Sequence, residues 1–154
     1  MNDKILLMLE SIKTIENQNE LKDFEYVPCS AEDIERFNNW LEKELGGPVS
    51  QLDGFLEFCK ITDGFNSDGV FFYSLNPDKY TNIYRMNQEG NWEILENKDY
   101  LLLGNGSLDA FAYKPGTGEF VAVDQGCLCK DNEFKRYKTV DELIEAALNQ
   151  TQWN

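Results

Sequence analysis

Between residues 101 and 124 the chain reads LLLGNGSLDAFAYKPGTGEFVAVD, three short apolar runs separated by two glycine-bearing breaks. Runs this short, rich in Leu, Phe, Val and Tyr, have the length and composition of strands, and the Gly, Pro, Asn and Ser between them are turn residues. The segment predicts strands over Tyr100–Gly104, Leu108–Lys114 and Glu119–Asp124. Pro115 fixes φ ahead of Gly116 and Gly118, which are free to take φ > 0, so YKPGTGEF reads as a hairpin. The competing reading of Gly104-Asn105-Gly106-Ser107 is a phosphate loop. Such a loop needs a helix N-terminus directly behind its glycines. Here the strand-like AFAY follows instead, no Gly-Lys-Ser/Thr ending is present, and Asp109 adds negative charge. The glycines are turn residues.

Upstream, VFFYSL (Val70–Leu75) is a fourth strand, bounded by Asp68-Gly69 and Asn76-Pro77-Asp78. Before it the apolar period is helical. Ile5, Met8, Leu9, Ile12 and Ile15 form one stripe that Asn2 or Asp3 can cap; Ser30 with Asp33 starts a second helix carrying Ile34, Phe37, Leu41 and Leu45 inward. Ser50 with Asp53 repeats the start signal for a third, whose stripe of Leu52, Phe55, Leu56 and Cys59 stops near Asp63-Gly64. Residues 79–98 mix their spacings, giving a helical turn and then an irregular link anchored by a buried Trp92. Thr139 with Glu142 forms a capping box for a last helix, in which Val140, Leu143, Ile144, Ala147 and Leu148 face the sheet.

At 154 residues and 42% hydrophobic content the chain matches one domain, residues 1–154, with a core of its own. The fold class is α+β: N-terminal helices, an antiparallel sheet of about four to five strands, and a C-terminal helix packed on it. The formal charge of −14 repels nucleic acid and anionic membrane and attracts a basic protein partner. ILLML is too short for a secretory core, and no run approaches the ~20 apolar residues of a membrane helix, so a cytoplasmic protein is expected. Its four cysteines, Cys29, Cys59, Cys127 and Cys129, read there as reduced thiols.

Catalytic constellations are sparse. The chain has no histidine, which excludes Ser-His-Asp and Cys-His catalysis. CLC, Cys127 to Cys129, could place two thiolates on one face of a strand, but a closed zinc site needs four ligands and Cys29 and Cys59 lie far upstream. Asp109 and Asp124 could face each other across the sheet, yet carboxylate pairs are abundant in so acidic a chain. No metal, no cofactor and no catalytic residue is expected.

The order FLEFCKITDGFNSDGVFFYSL, NQEGNWE, KDYLLLGNGSLDAFAYKPGTGEFVAVD and YKTVDELIEAAL resembles the SUKH superfamily over residues 30–150, with residues 1–20 as an added N-terminal helix. The marks are Phe58, Asp63 and Gly64 at a helix end, Trp92 in the link, the LLLGNG strand and turn, the GTGE hairpin and the TVDELI helix. The superfamily includes bacterial immunity proteins and the domain of a fungal cell-wall-synthesis regulator. The resemblance implies a non-catalytic module that neutralises a toxin, of nuclease type where charge complementarity is used, by direct binding; the alternative is a regulatory scaffold with an endogenous partner. Asp63, Asn66, Asp68, Tyr73 and Asp109 combine loop position, negative charge and an aromatic near the junction of the third helix and the sheet, and are the expected partner-binding residues.

Overall fold

A chain that switches from helical to strand periodicity must stack one layer on the other to bury both apolar faces. The computed structural model describes residues 1–18, 26–88 and 99–151 and has that form. Its helices are α1 (Asp3–Gln18), α2 (Ala31–Leu45), α3 (Asp53–Ile61), α4 (Ile83–Gln88) and α5 (Val140–Leu148). Its strands are β1 (Asn66–Ser67), β2 (Val70–Phe72), β3 (Leu101–Asn105), β4 (Asp109–Lys114), β5 (Glu119–Asp124) and β6 (Glu133–Tyr137). They form one antiparallel sheet in the order β1-β2-β3-β4-β5-β6. The single α+β domain follows the expected layout, with two strands more than the four marked by apolar runs, β1 and β6.

Capping chemistry places the helices. Asn2 Oδ1 accepts from the Ile5 amide at 2.9 Å; Ser30 and Asp33 close a reciprocal capping box; Thr139 accepts from the Glu142 amide. Ser50 does not act as expected: residues Ser50–Leu52 form a 3₁₀ turn, and α3 starts at Asp53 without a side-chain cap. α1 and α5 are held together by the Asn2 amide bonded to Asp141 at 3.1 Å and by a Lys4–Glu145 ion pair.

The three central strands of the sheet are buried along their length. Leu101–Gly104, Ala110–Tyr113 and Phe120–Val123 are buried without interruption, so both faces of its centre are covered. The register puts Phe72, Phe111, Tyr113 and Phe120 on one face, and Ala110, Ala112, Val121 and Val123 on the other. The aromatic face meets the helices: Phe72 packs on Phe55 and Phe58 of α3 and stacks on Phe111, with centroids 5.6 Å apart. On β3 a register shift between Leu102 and Gly104 is held by buried Asn87 of α4, whose amide donates to the Leu102 carbonyl and accepts from the Leu102 amide. The Trp92 link falls outside the described residues.

Two glycines depart from the expected roles. Gly104 lies within β3, where a Cβ would sit 2.1 Å from the Phe71 carbonyl oxygen on β2. Of the hairpin pair only Gly118 is left-handed, at φ +74°. A Cβ on Gly116 would meet nothing within 4 Å. Gly104→Ala is therefore expected to separate β2 from β3 and cost at least ~2 kcal/mol in a urea titration, while Gly116→Ala stays within about 0.5 kcal/mol of wild type. Equal midpoints for the two variants would refute the close approach.

Candidate functional site

Helix α3 ends at Ile61, and three residues later Gly64 at φ +74° turns the chain toward the sheet. The segment 26–30 runs beside this end, with the Asp63 amide bonded to the Val27 carbonyl at 2.8 Å and the Cys29 amide to the Cys59 carbonyl at 2.9 Å. From the other side Asp63 receives the end of β2: its carboxylate accepts from the Ser74 hydroxyl and, at 2.9 Å, from the Leu75 amide. The loop after β2 then folds back. The Ile83 amide bonds the Ser74 carbonyl at 2.8 Å, and buried Asn82 donates to the carbonyls of Pro77 and Lys79 while accepting from the Arg85 amide.

Between these three segments lies a groove of about 380 Å³ lined by Val27, Asp33, Asp63, Asn66, Asn76 and Lys79, among others. Its walls are fixed by hydrogen bonds, so its shape is set before any ligand arrives. Asp33 is anchored in the α2 cap and paired with Arg36 at 3.0 Å, leaving Lys79 as the exposed cation on the lining. Val27 is 49% exposed on the lining; Tyr80 (75% exposed) falls in the chain between the lining residues Lys79 and Thr81, and the Arg85 guanidinium lies 3.9 Å over its ring. Burial raises the Asp63 carboxyl above its ordinary value, an effect that the Ser74 and Leu75 hydrogen bonds oppose and the nearby Asp33 charge reinforces. The same surroundings push the Cys29 thiol up to about 11, through burial first and then the charges of Asp63 and Asp33.

The expected binding residues divide into separate places. Asp63 and Asn66 line the groove. Asp63 is half-buried and bonded, however, so it is a structural carboxylate and not the exposed loop charge anticipated from its turn-like context. Tyr73 is a correction: at 2% exposure it belongs to the core, its hydroxyl reaching Asn105 at 2.8 Å. Asp68 is exposed in the β1–β2 turn at φ +49°. The register puts that turn at the sheet end shared with Asp109, beside exposed Leu108. Asp109 faces Asp124 across the β4–β5 pair, as expected, and accepts from Gln150 at 2.9 Å. Sequence reasoning missed Asp33, Lys79 and Tyr80: the first reads as a cap residue, and the others follow a Pro-Asp turn that signals only a strand end. CLC lies in the β5–β6 connection and not on a strand, because β5 ends at Asp124. Among the described residues no helix is long and apolar enough to cross a membrane, and no cluster of three or more Cys, Asp or Glu could hold a metal ion.

No family model matches the chain, and no curated protein matches it.

Asp63 supplies the testable point. A folded pKa above the unfolded one means the native state holds that proton more tightly, so the group's contribution is full below its ordinary value of 3.8 and fades as pH rises through the raised value. Asp63→Ala removes that component from the pH–stability profile. At neutral pH it also leaves the Ser74 hydroxyl and Leu75 amide without their acceptor, at a cost of about 1–3 kcal/mol. Urea midpoints between pH 3 and 7 that superimpose on wild type would contradict this.

Proposed function

We propose that the chain is a non-catalytic protein-binding module, an immunity protein that neutralises a bacterial toxin by docking a basic surface of it in the cytoplasm. The observation that supports the reading is the groove at the α3–sheet junction, lined by two carboxylates, Asp33 and Asp63, and by exposed Val27, with exposed Tyr80 next in the chain to its lining residues Lys79 and Thr81. An aromatic and an aliphatic anchor beside fixed carboxylates is a composition that binds the Arg- or Lys-bearing face of another protein. The net charge of −14 supports the same partner class, since a nuclease-type toxin must carry basic residues to hold its own substrate and is drawn to an acidic inhibitor over long range. The order of sequence marks shared with the SUKH superfamily supports the toxin-neutralising role over generic binding.

Asp68 and Asp109 lie at the far sheet end and serve steering, whereas Tyr80 sits at the contact itself. The test takes a toxin domain encoded beside this gene as bait. Its association rate falls as salt rises, because exposed charges are screened over about 8 Å at physiological ionic strength. Asp68→Lys with Asp109→Lys slows association and spares dissociation. Tyr80→Ala weakens the complex about 30-fold, the ~2 kcal/mol of a central aromatic anchor. Wild-type affinity in Tyr80→Ala would take the groove out of the interface. Salt-independent capture of an endogenous protein, with no toxin bound, would replace the immunity role with the regulatory scaffold of the same fold.

A further inference from the structure

The β5–β6 connection carries a pair of thiols that the toxin-binding reading does not use. Cys127 is exposed, Cys129 is half-buried, and Leu128 between them packs on the core. Their sulfurs stand 3.9 Å apart, too far for a disulfide bond of about 2.05 Å and close enough to share an S–H···S contact. The connection is braced around them. The Cys127 amide bonds the Asp124 carbonyl at 3.3 Å, the Gly126 amide bonds the Asp124 carboxylate at 2.8 Å, and Asn132 donates to the Cys127 carbonyl at 2.9 Å through its side chain and to the Cys129 carbonyl at 3.0 Å through its backbone.

We propose that Cys127 and Cys129 form an open, bidentate dithiolate site for a soft divalent cation of the zinc–cadmium class. The geometry is the first argument. Two thiolates on a tetrahedral zinc ion, each at about 2.3 Å, lie about 3.8 Å from one another. The free pair already has that spacing, so the cation is gripped without rearranging the loop. Charge is the second: the Asp124 carboxylate is adjacent, and a chain of net charge −14 gathers cations from solution. With two ligands from the protein, the remaining positions go to water or to a donor on another molecule, which distinguishes this site from a closed structural one.

The same pair is a poor redox couple. The hydrogen bond shared with Cys129, then the Cys129 and Asp124 charges, hold the Cys127 thiol above its ordinary value, leaving little nucleophilic thiolate at neutral pH. A thiophilic cation needs no pre-formed thiolate. Two S–H bonds break, two metal–sulfur bonds form, and two protons pass to solvent with no change of oxidation state, so binding tightens as pH rises.

The test titrates reduced full-length protein with Cd²⁺, following thiolate-to-cadmium charge-transfer absorption, with Zn²⁺ as silent competitor. One Cd²⁺ per chain is expected, with two protons released and displacement by Zn²⁺. Cys127→Ser and Cys129→Ser should each weaken binding about 100-fold, because the second thiolate binds intramolecularly in wild type. Cys29→Ser, which alters the other partly exposed thiol, should leave it unchanged. Undiminished affinity in Cys127→Ser, loss of the absorption in Cys29→Ser, or no saturable absorption at all would overturn the proposal.

Discussion

Phe72 is the contact on which the remaining geometry depends. Carried by a strand of only three residues, its ring meets Phe55 and Phe58 of α3, Phe65 ahead of β1, and Phe111 of β4. A short strand has few ladder hydrogen bonds to hold its position, so ring packing from both layers fixes where β2 lies. The neighbouring approach of Gly104 to the Phe71 carbonyl is the backbone side of the same constraint, since a side chain there would push β2 away from β3 and from the rings behind it. Truncating Phe72 would remove contacts on four sides at once, the situation in which large aromatic-to-alanine losses arise.

The groove inherits its shape from that junction. Two residues beyond Phe72 the chain leaves the sheet at Ser74, and Asp63 at the end of α3 takes hold of it there, so the two layers packed by Phe72 are tied by a carboxylate at their common edge. This arrangement puts a negative charge at half-burial, and its raised proton affinity is the electrostatic consequence. One residue thus belongs to the scaffold and to the groove wall together. That is why exposed Asp68, not Asp63, is suited to steer an approaching partner without disturbing the fold.

Much of this was legible wherever one physical signal dominated. Ser30 with Asp33 and Thr139 with Glu142 marked helix starts through capping, and the 100–124 meander was visible because glycine breaks alternate with apolar runs there. The signal failed where tertiary contacts outweighed local pattern. β6 is the polar EFKRY, unlike a buried strand in composition; it forms because its backbone pairs with β5 and because Glu133 is enclosed by Tyr100, Lys114 and Arg136. β1 is too short to show a period, and Asn87 earns its place by bonding a backbone fifteen residues away. The site was half legible: acidic loop residues near α3 were identified, but which of them face solvent depends on Ser74 and Leu75 reaching Asp63, a pairing across eleven and twelve residues that no local pattern encodes.

On the proposed function, the groove beside Asp63, rather than acidity spread over the whole surface, recognises a basic partner. Amide chemical-shift mapping with an arginine-rich peptide tests it most directly. Saturable perturbations confined to residues 27–33, 63–66 and 74–81 are expected, weakening with added salt and falling in Tyr80→Ala. Shifts scattered over the acidic surface, or centred on Asp68, Leu108 and Asp109 at the far end of the sheet, would contradict it.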